Sequence, residues 1–131
     1  MNRDFRKIEK WILKNGYTIR FGIRDLVDYE KKEILLRKNQ KNLIYSALHE
    51  CGHVILCNDK SYSKKYKSLL KAEMYDARHY KSNIYKYKKI KEEIEAWEKG
   101  LKLAKKLGIK INIDDYEIYA SKYIMSYAKY L

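Results

Sequence analysis

The stretch KNLIYSALHECGHVILC, residues 41–57, has apolar residues at helical spacing on one side and a knot of polar ones on the other. At a turn of about 100° per residue, His53 lies about 40° from His49 and Glu50 about 100° from it, so all three reach one side of a helix. Leu43, Ile44, Ala47, Cys51, Val54 and Ile55 make the opposite, apolar side, as in a helix anchored in a core. The histidines therefore face a cleft, and Asn58-Asp59 supplies the end of the helix.

Upstream, residues 4–14 place Phe5, Ile8, Trp11 and Ile12 at helical spacing before an Asn15-Gly16 stop. In residues 17–23, Tyr17, Ile19, Phe21 and Ile23 alternate with Thr18, Arg20 and Gly22, the period of a half-buried strand. Residues 26–29 and 33–37 are shorter strand candidates around Glu30-Lys31-Lys32, which makes a small N-terminal sheet of about three strands. Downstream, residues 60–81 read as a loop and a short helix, the latter around residues 69–74, covering one edge of the cleft. Residues 84–107 form the strongest helix, with Tyr87, Ile90, Ile94, Trp97, Leu101 and Ala104 as its apolar stripe and Gly108 as its C-cap. Asp114 with Glu117 resembles a capping box that opens a last helix. In that helix Tyr116, Tyr119, Tyr123, Tyr127 and Tyr130 recur at packing intervals.

A chain of 131 residues fits one domain with a real core, residues 1–131. Residues 1–5 are charged, and no apolar run approaches the ~18 residues that a membrane span requires, so the expected location is the cytoplasm. Cys51 and Cys57 sit six positions apart on one helix, roughly 9 Å between Cα atoms, too far for a disulfide; reduced thiols agree with that location. The net charge is +13, and residues 60–110, with 16 basic and 6 acidic side chains, carry +10 of it. Such a field attracts nucleic acid or an acidic partner, yet no nucleic-acid-binding module is legible, and a solvated lysine coat is the favoured reading.

The run His49-Glu50-Cys51-Gly52-His53 is an H-E-x-x-H pattern, in which two histidines grip one metal and the glutamate takes a proton from metal-bound water. Cys51 lies about 180° from the mean histidine direction and belongs to the buried side. Cys57 projects nearer the Glu50 side and reads as a small buried hydrophobe. A catalytic zinc takes three protein ligands and keeps a fourth position open, so another donor is required. The dense acidic cluster is Glu92, Glu93, Glu95 and Glu98. By angular count Glu92 and Glu95 face away from the apolar stripe, while Glu93 and Glu98 flank it at about 70°. Ala96 and Gly100 lie on the Glu93 side and let another helix come close enough to share a metal with Glu93.

The combination Leu48-His49-Glu50-Cys51-Gly52-His53 with Glu93-Ile94-Glu95-Ala96-Trp97 resembles the gluzincin-type metallopeptidases. In size and order it is most similar to the ImmA/IrrE-like metallopeptidases of bacteria, phages and mobile elements. The resemblance covers roughly residues 33–107 and implies an α+β, zincin-like fold with Zn²⁺ held by His49, His53 and Glu93. It also implies a protein substrate, with a regulatory protein as the target. One departure stands out: four positions after the ligand glutamate these families often carry Asp or Asn to support a histidine, whereas this chain has Trp97, so that support must come from elsewhere.

The expectation is thus a zinc metallopeptidase in which Glu50 activates the metal-bound water. A sheet edge, most plausibly residues 33–37, would align an extended substrate. The alternative is a basic nucleic-acid- or partner-binding protein with a structural or vestigial metal site. Tyr75, Tyr80, Tyr85 and Tyr87, interleaved with lysines, would carry that contact. His79 is an oxyanion candidate more simply read as an exposed residue.

Overall fold

The computed structural model describes residues 2–66 and 82–131. Helix α1 (Arg3–Lys14) is capped by Asn2, whose side chain accepts the Asp4 and Phe5 amides, and it buries Phe5, Ile8 and Ile12. Gly16, at φ +83°, makes the left-handed turn into the sheet that a residue with a Cβ adopts only under strain.

Three strands follow: β1 (Thr18–Gly22), β2 (Leu26–Asp28) and β3 (Glu33–Arg37), in the spatial order β1-β3-β2. β3 pairs parallel with β1, Thr18 opposite Glu33, and antiparallel with β2, Leu26 opposite Leu35. Glu33–Arg37 is therefore the centre of a mixed sheet, and the expectation that it offers a free edge is wrong. Its alternation explains the place it takes: Ile34 and Leu36 are fully buried, as a strand covered on its inner face requires. Tyr17, just before β1, is buried, but the inward pattern fades along the strand until Ile23, just beyond its end, stands 89% exposed.

Helices α2 (Leu43–Asn58), α3 (Tyr62–Lys65), α4 (Asn83–Lys106) and α5 (Ile113–Tyr130) complete an α+β fold that, among the described residues, has one small sheet, four long helices and a single helical turn. The core gathers Phe5, Ile8, Ile34 and Leu36 against Leu48, Cys51 and Val54 of α2, with Trp97 and Tyr116 closing it from α4 and α5. Cys51 is buried as its angle predicts, whereas Cys57 emerges at the exposed end of α2 and not in the core. Gly108, at φ +74°, ends α4. The cap of α5 is Asn112, not Asp114: its side chain accepts the Asp115 amide at 3.0 Å. An amide oxygen caps as well as a carboxylate, and Asp114 and Asp115 then complement the positive end of the helix from its first turn.

The buried residues of α4 include Trp97 and Ala104 of the predicted stripe together with Glu92, Ala96, Gly100 and Leu103, whereas Tyr87 and Ile94 of that stripe are exposed. Packing with α2 requires small residues more than apolar ones, and the small residues turn inward. Glu92, expected to face away, is buried because α3 lies over it. The Tyr62 hydroxyl donates to one carboxylate oxygen, and Lys89 donates to the other at 3.4 Å. Glu95 pairs with Lys65 of α3 at 2.5 Å. The expected short helix around residues 69–74, and with it Tyr75, His79 and Tyr80, lies outside the described residues. Among the described residues no helix is long and apolar enough to cross a membrane.

Candidate metal centre

Two glycines set the distance between α2 and α4. A Cβ on Gly52 would sit 1.9 Å from the Ala96 carbonyl oxygen, and one on Gly100 would sit 2.5 Å from that of Leu48, so the helices cross backbone against backbone. One turn before Ala96, this crossing delivers Glu93 to the histidine side of α2. Its Oε2 lies 2.9 Å from Nε2 of His49 and 2.9 Å from Nε2 of His53, and the two nitrogens are 3.1 Å apart. Glu50 completes the cluster, its Oε1 3.5 Å from His49 Nδ1.

His49, Glu50 and His53 form a group that can hold a metal ion, with ligand atoms within 4.8 Å of one another. The arrangement also brings Glu93 into that group and leaves Glu98, the other flanking candidate, exposed on the far side. A tetrahedral site with bonds of about 2.0–2.1 Å spaces its donors about 3.3–3.4 Å apart. The triangle of His49, His53 and Glu93 would open by roughly 0.2–0.5 Å along its edges to accept such an ion, within the reach of small side-chain rotations. The donor set, two imidazoles and a carboxylate, fits a borderline-soft divalent cation.

The electrostatics favour positive charge at this point. Burial opposes ionisation of Glu93, yet hydrogen bonds from His49 and His53 hold its carboxyl well below the ordinary range. Burial likewise opposes a charge on His53, but the hydrogen bond and charge of Glu93, with Glu50 and Glu92 behind it, push its pKa up to about 9. Burial pushes the Glu50 carboxyl above its ordinary value against the pull of both imidazoles. A carboxyl raised in this way takes up a proton more readily and gives it back in a dry site.

Support for His49 comes from Trp97. The indole of Trp97 lies flat on the imidazole, ring centres 4.1 Å apart and planes within 4°. Trp97 is itself braced edge-on by Tyr116 and Tyr119, and the Tyr116 hydroxyl donates to its backbone carbonyl at 2.5 Å. The stack holds the His49 imidazole against a fixed surface.

A cavity of about 320 Å³ leads to the cluster, walled by the β1–β2 connection on one side and by Tyr123 and Tyr127 of α5 on the other. The sequence reading missed this role for α5: tyrosines four apart signal packing, and nothing in the spacing says that the outer ones line a cleft. Asp25, Arg37 and Ser46, which line the cavity, had no sequence signal at all. Tyr85 is buried beside Tyr66 and unavailable to a partner, whereas Tyr87 is exposed. Among the described residues the edges of the sheet are β1 and β2, of which β2 packs along α2. No protein-family model matches this chain, and neither the curated proteins nor the solved structures include a match.

Proposed function

We propose that this chain is a zinc-dependent metallopeptidase of zincin-like fold that hydrolyses a peptide bond in a protein substrate. The observation that carries the reading is the approach of one Glu93 oxygen to within 2.9 Å of both histidine Nε2 atoms, from a helix forty residues away in the chain. His49, His53 and Glu93 hold the ion, and zinc when bound supplies Lewis acidity at the scissile carbonyl and lowers the pKa of water. Glu50 takes the proton of the attacking water and returns it to the leaving amine, a task that suits its raised pKa. Trp97 and the aromatic wall exclude solvent, and the outer edge of β2, unpaired among the described residues, aligns an extended substrate by backbone hydrogen bonds. The substrate is a regulatory protein, and the place of action is the cytoplasm.

Metal analysis of the purified protein beside His49→Ala and Glu93→Ala tests the site: one zinc per chain is expected in the wild type and none in either variant. Glu50→Gln should keep its zinc and lose cleavage. A wild type that purifies and reconstitutes without zinc ends the proposal. A second reading, a basic nucleic-acid-binding protein, draws on Lys99, Lys102 and Lys106, which ring a hollow of about 430 Å³ beside Trp11 at the far end of α2. It requires affinity for DNA or RNA that falls steeply with salt and is indifferent to Glu50→Gln.

A further inference from the structure

The cavity that reaches the metal centre has a second polar end that the peptidase reading leaves unused. There the β1–β2 connection sets Arg24 and Asp25 beside Arg37, the last residue of β3. Asp25 accepts Arg37 Nε at 2.9 Å and the Arg37 backbone amide at 2.8 Å. Gln40 Oε1 and the Tyr123 hydroxyl accept its Nη2 at 3.2 and 2.6 Å. The guanidinium is therefore clamped in one orientation, while Nη1, with two N–H groups, is hydrogen-bonded to no described residue. Arg24 lines the same cavity, is exposed, and forms no ion pair with any described residue. The Tyr123 oxygen accepts from Arg37 and, at 3.3 Å, from the Tyr119 hydroxyl, which leaves its own hydrogen to donate.

Two guanidiniums against one carboxylate leave this end of the cavity positive, and its unused groups are all donors. The Arg24 guanidinium offers the planar N–H pair that matches a carboxylate, and Nη1 of Arg37, on a guanidinium already held by Asp25, adds a donor that loses little freedom in binding one. The Trp97 ring stands between the two ends, 4.1 Å from the His49 ring and 5.9 Å from that of Tyr123. Two or three residues of extended peptide, at about 3.3 Å each, cover that interval. We propose that Arg24, Arg37 and Tyr123 form a carboxylate-binding subsite, so that the preferred substrate carries an acidic side chain or a free C-terminus two or three residues from the scissile bond. The position of the scissile bond in this statement rests on the metallopeptidase reading.

Alanine-based fluorescent peptides with a single Glu or Gln placed at each position in turn, each made as free acid and as C-terminal amide, supply the probes. Their affinity for the Glu50→Gln protein, with and without zinc, is read by fluorescence polarisation, and their cleavage by the wild type is read in parallel. Glu should be preferred over Gln at one position by about ten-fold or more, the worth of a charge-assisted pair. If the subsite takes a chain end, the same ratio appears between acid and amide. Arg24→Ala, an exposed position that leaves the Arg37 clamp intact, should cut the ratio to near unity, and Tyr123→Phe should reduce it. Absence of binding by every peptide, equal binding of Glu and Gln with equal binding of acid and amide, or a preference untouched in both variants overturns the proposal. An Arg24-dependent preference without zinc or cleavage would sink the peptidase reading alone, whereas cleavage indifferent to carboxylates would sink the subsite alone.

Discussion

Helix α4 meets its two neighbours in opposite ways. Against α2 the closest contacts are backbone on backbone, Gly52 over Ala96 and Gly100 over Leu48. Against α5 it is ring upon ring, Trp97 among Tyr116, Tyr119 and Tyr123. A backbone contact has no rotamers with which to adjust, so it fixes the separation of Glu93 from His49 and His53 to the tolerance a metal site needs. Ring packing yields by small rotations, and it serves instead to brace Trp97 and to wall the cavity. One helix therefore carries a rigid side that sets the spacing of Glu93 from the histidines and a compliant side that lines the cavity.

Breaking the rigid side should have the largest consequence. Gly52→Ala puts a methyl group 1.9 Å from the Ala96 carbonyl oxygen, so α2 and α4 must part. We expect a loss of about 3 kcal/mol in urea unfolding, at the upper end for overpacking, with zinc affinity lowered by about 100-fold or more as Glu93 leaves the histidines. Wild-type stability and affinity in that variant would mean that the crossing does not set the site.

The next effect is in pH and needs no mutation. The folded pKa of His53 is raised from 6.5 to about 9, so its contribution to stability is complete below pH 6.5 and is lost as pH rises through about 9. That of Glu93 is lowered from 4.5, so its contribution is present above pH 4.5 and lost as pH falls. The two belong to one ion pair, and the metal-free protein should melt highest between about pH 4.5 and 6.5. Zinc must displace the His53 proton, so the zinc-dependent rise in Tm should instead grow with pH up to about 9. Thermal melts with and without chelator measure both slopes, and parallel slopes would place the metal away from His53.

The rigid side was largely legible in the sequence and the compliant side was not. His49, Glu50 and His53 lie within five residues on one helix, where a fixed turn angle determines which way they point. The close approach near Ala96 and Gly100 follows from residue size, because two helices touch at the backbone only where side chains are absent. Glu92 was misread because the angular count took the apolar stripe as the buried side, whereas the small residues and the α3 turn over Glu92 decide burial. The place of β3 at the sheet centre is a matter of long-range pairing, to which strand alternation is blind. For the Arg37 clamp, partners drawn from the β1–β2 connection, the loop before α2 and α5 leave no local pattern to read.

On the compliant side the effects should be smaller and graded. Trp97→Leu removes the stack on His49 and should weaken zinc binding by about ten-fold, whereas Trp97→Phe, which keeps a ring there, should stay closer to wild type. Tyr119→Phe is the mildest change. It deletes a hydroxyl 3.1 Å from Ser46 and 3.3 Å from Tyr123 and leaves the ring against Trp97. A loss of about 1 kcal/mol in urea unfolding with zinc affinity unchanged is the expected result. This smallest effect discriminates best: if Tyr119→Phe lowered zinc affinity as far as Gly52→Ala does, the aromatic wall and not the backbone crossing would be holding the ligands in place.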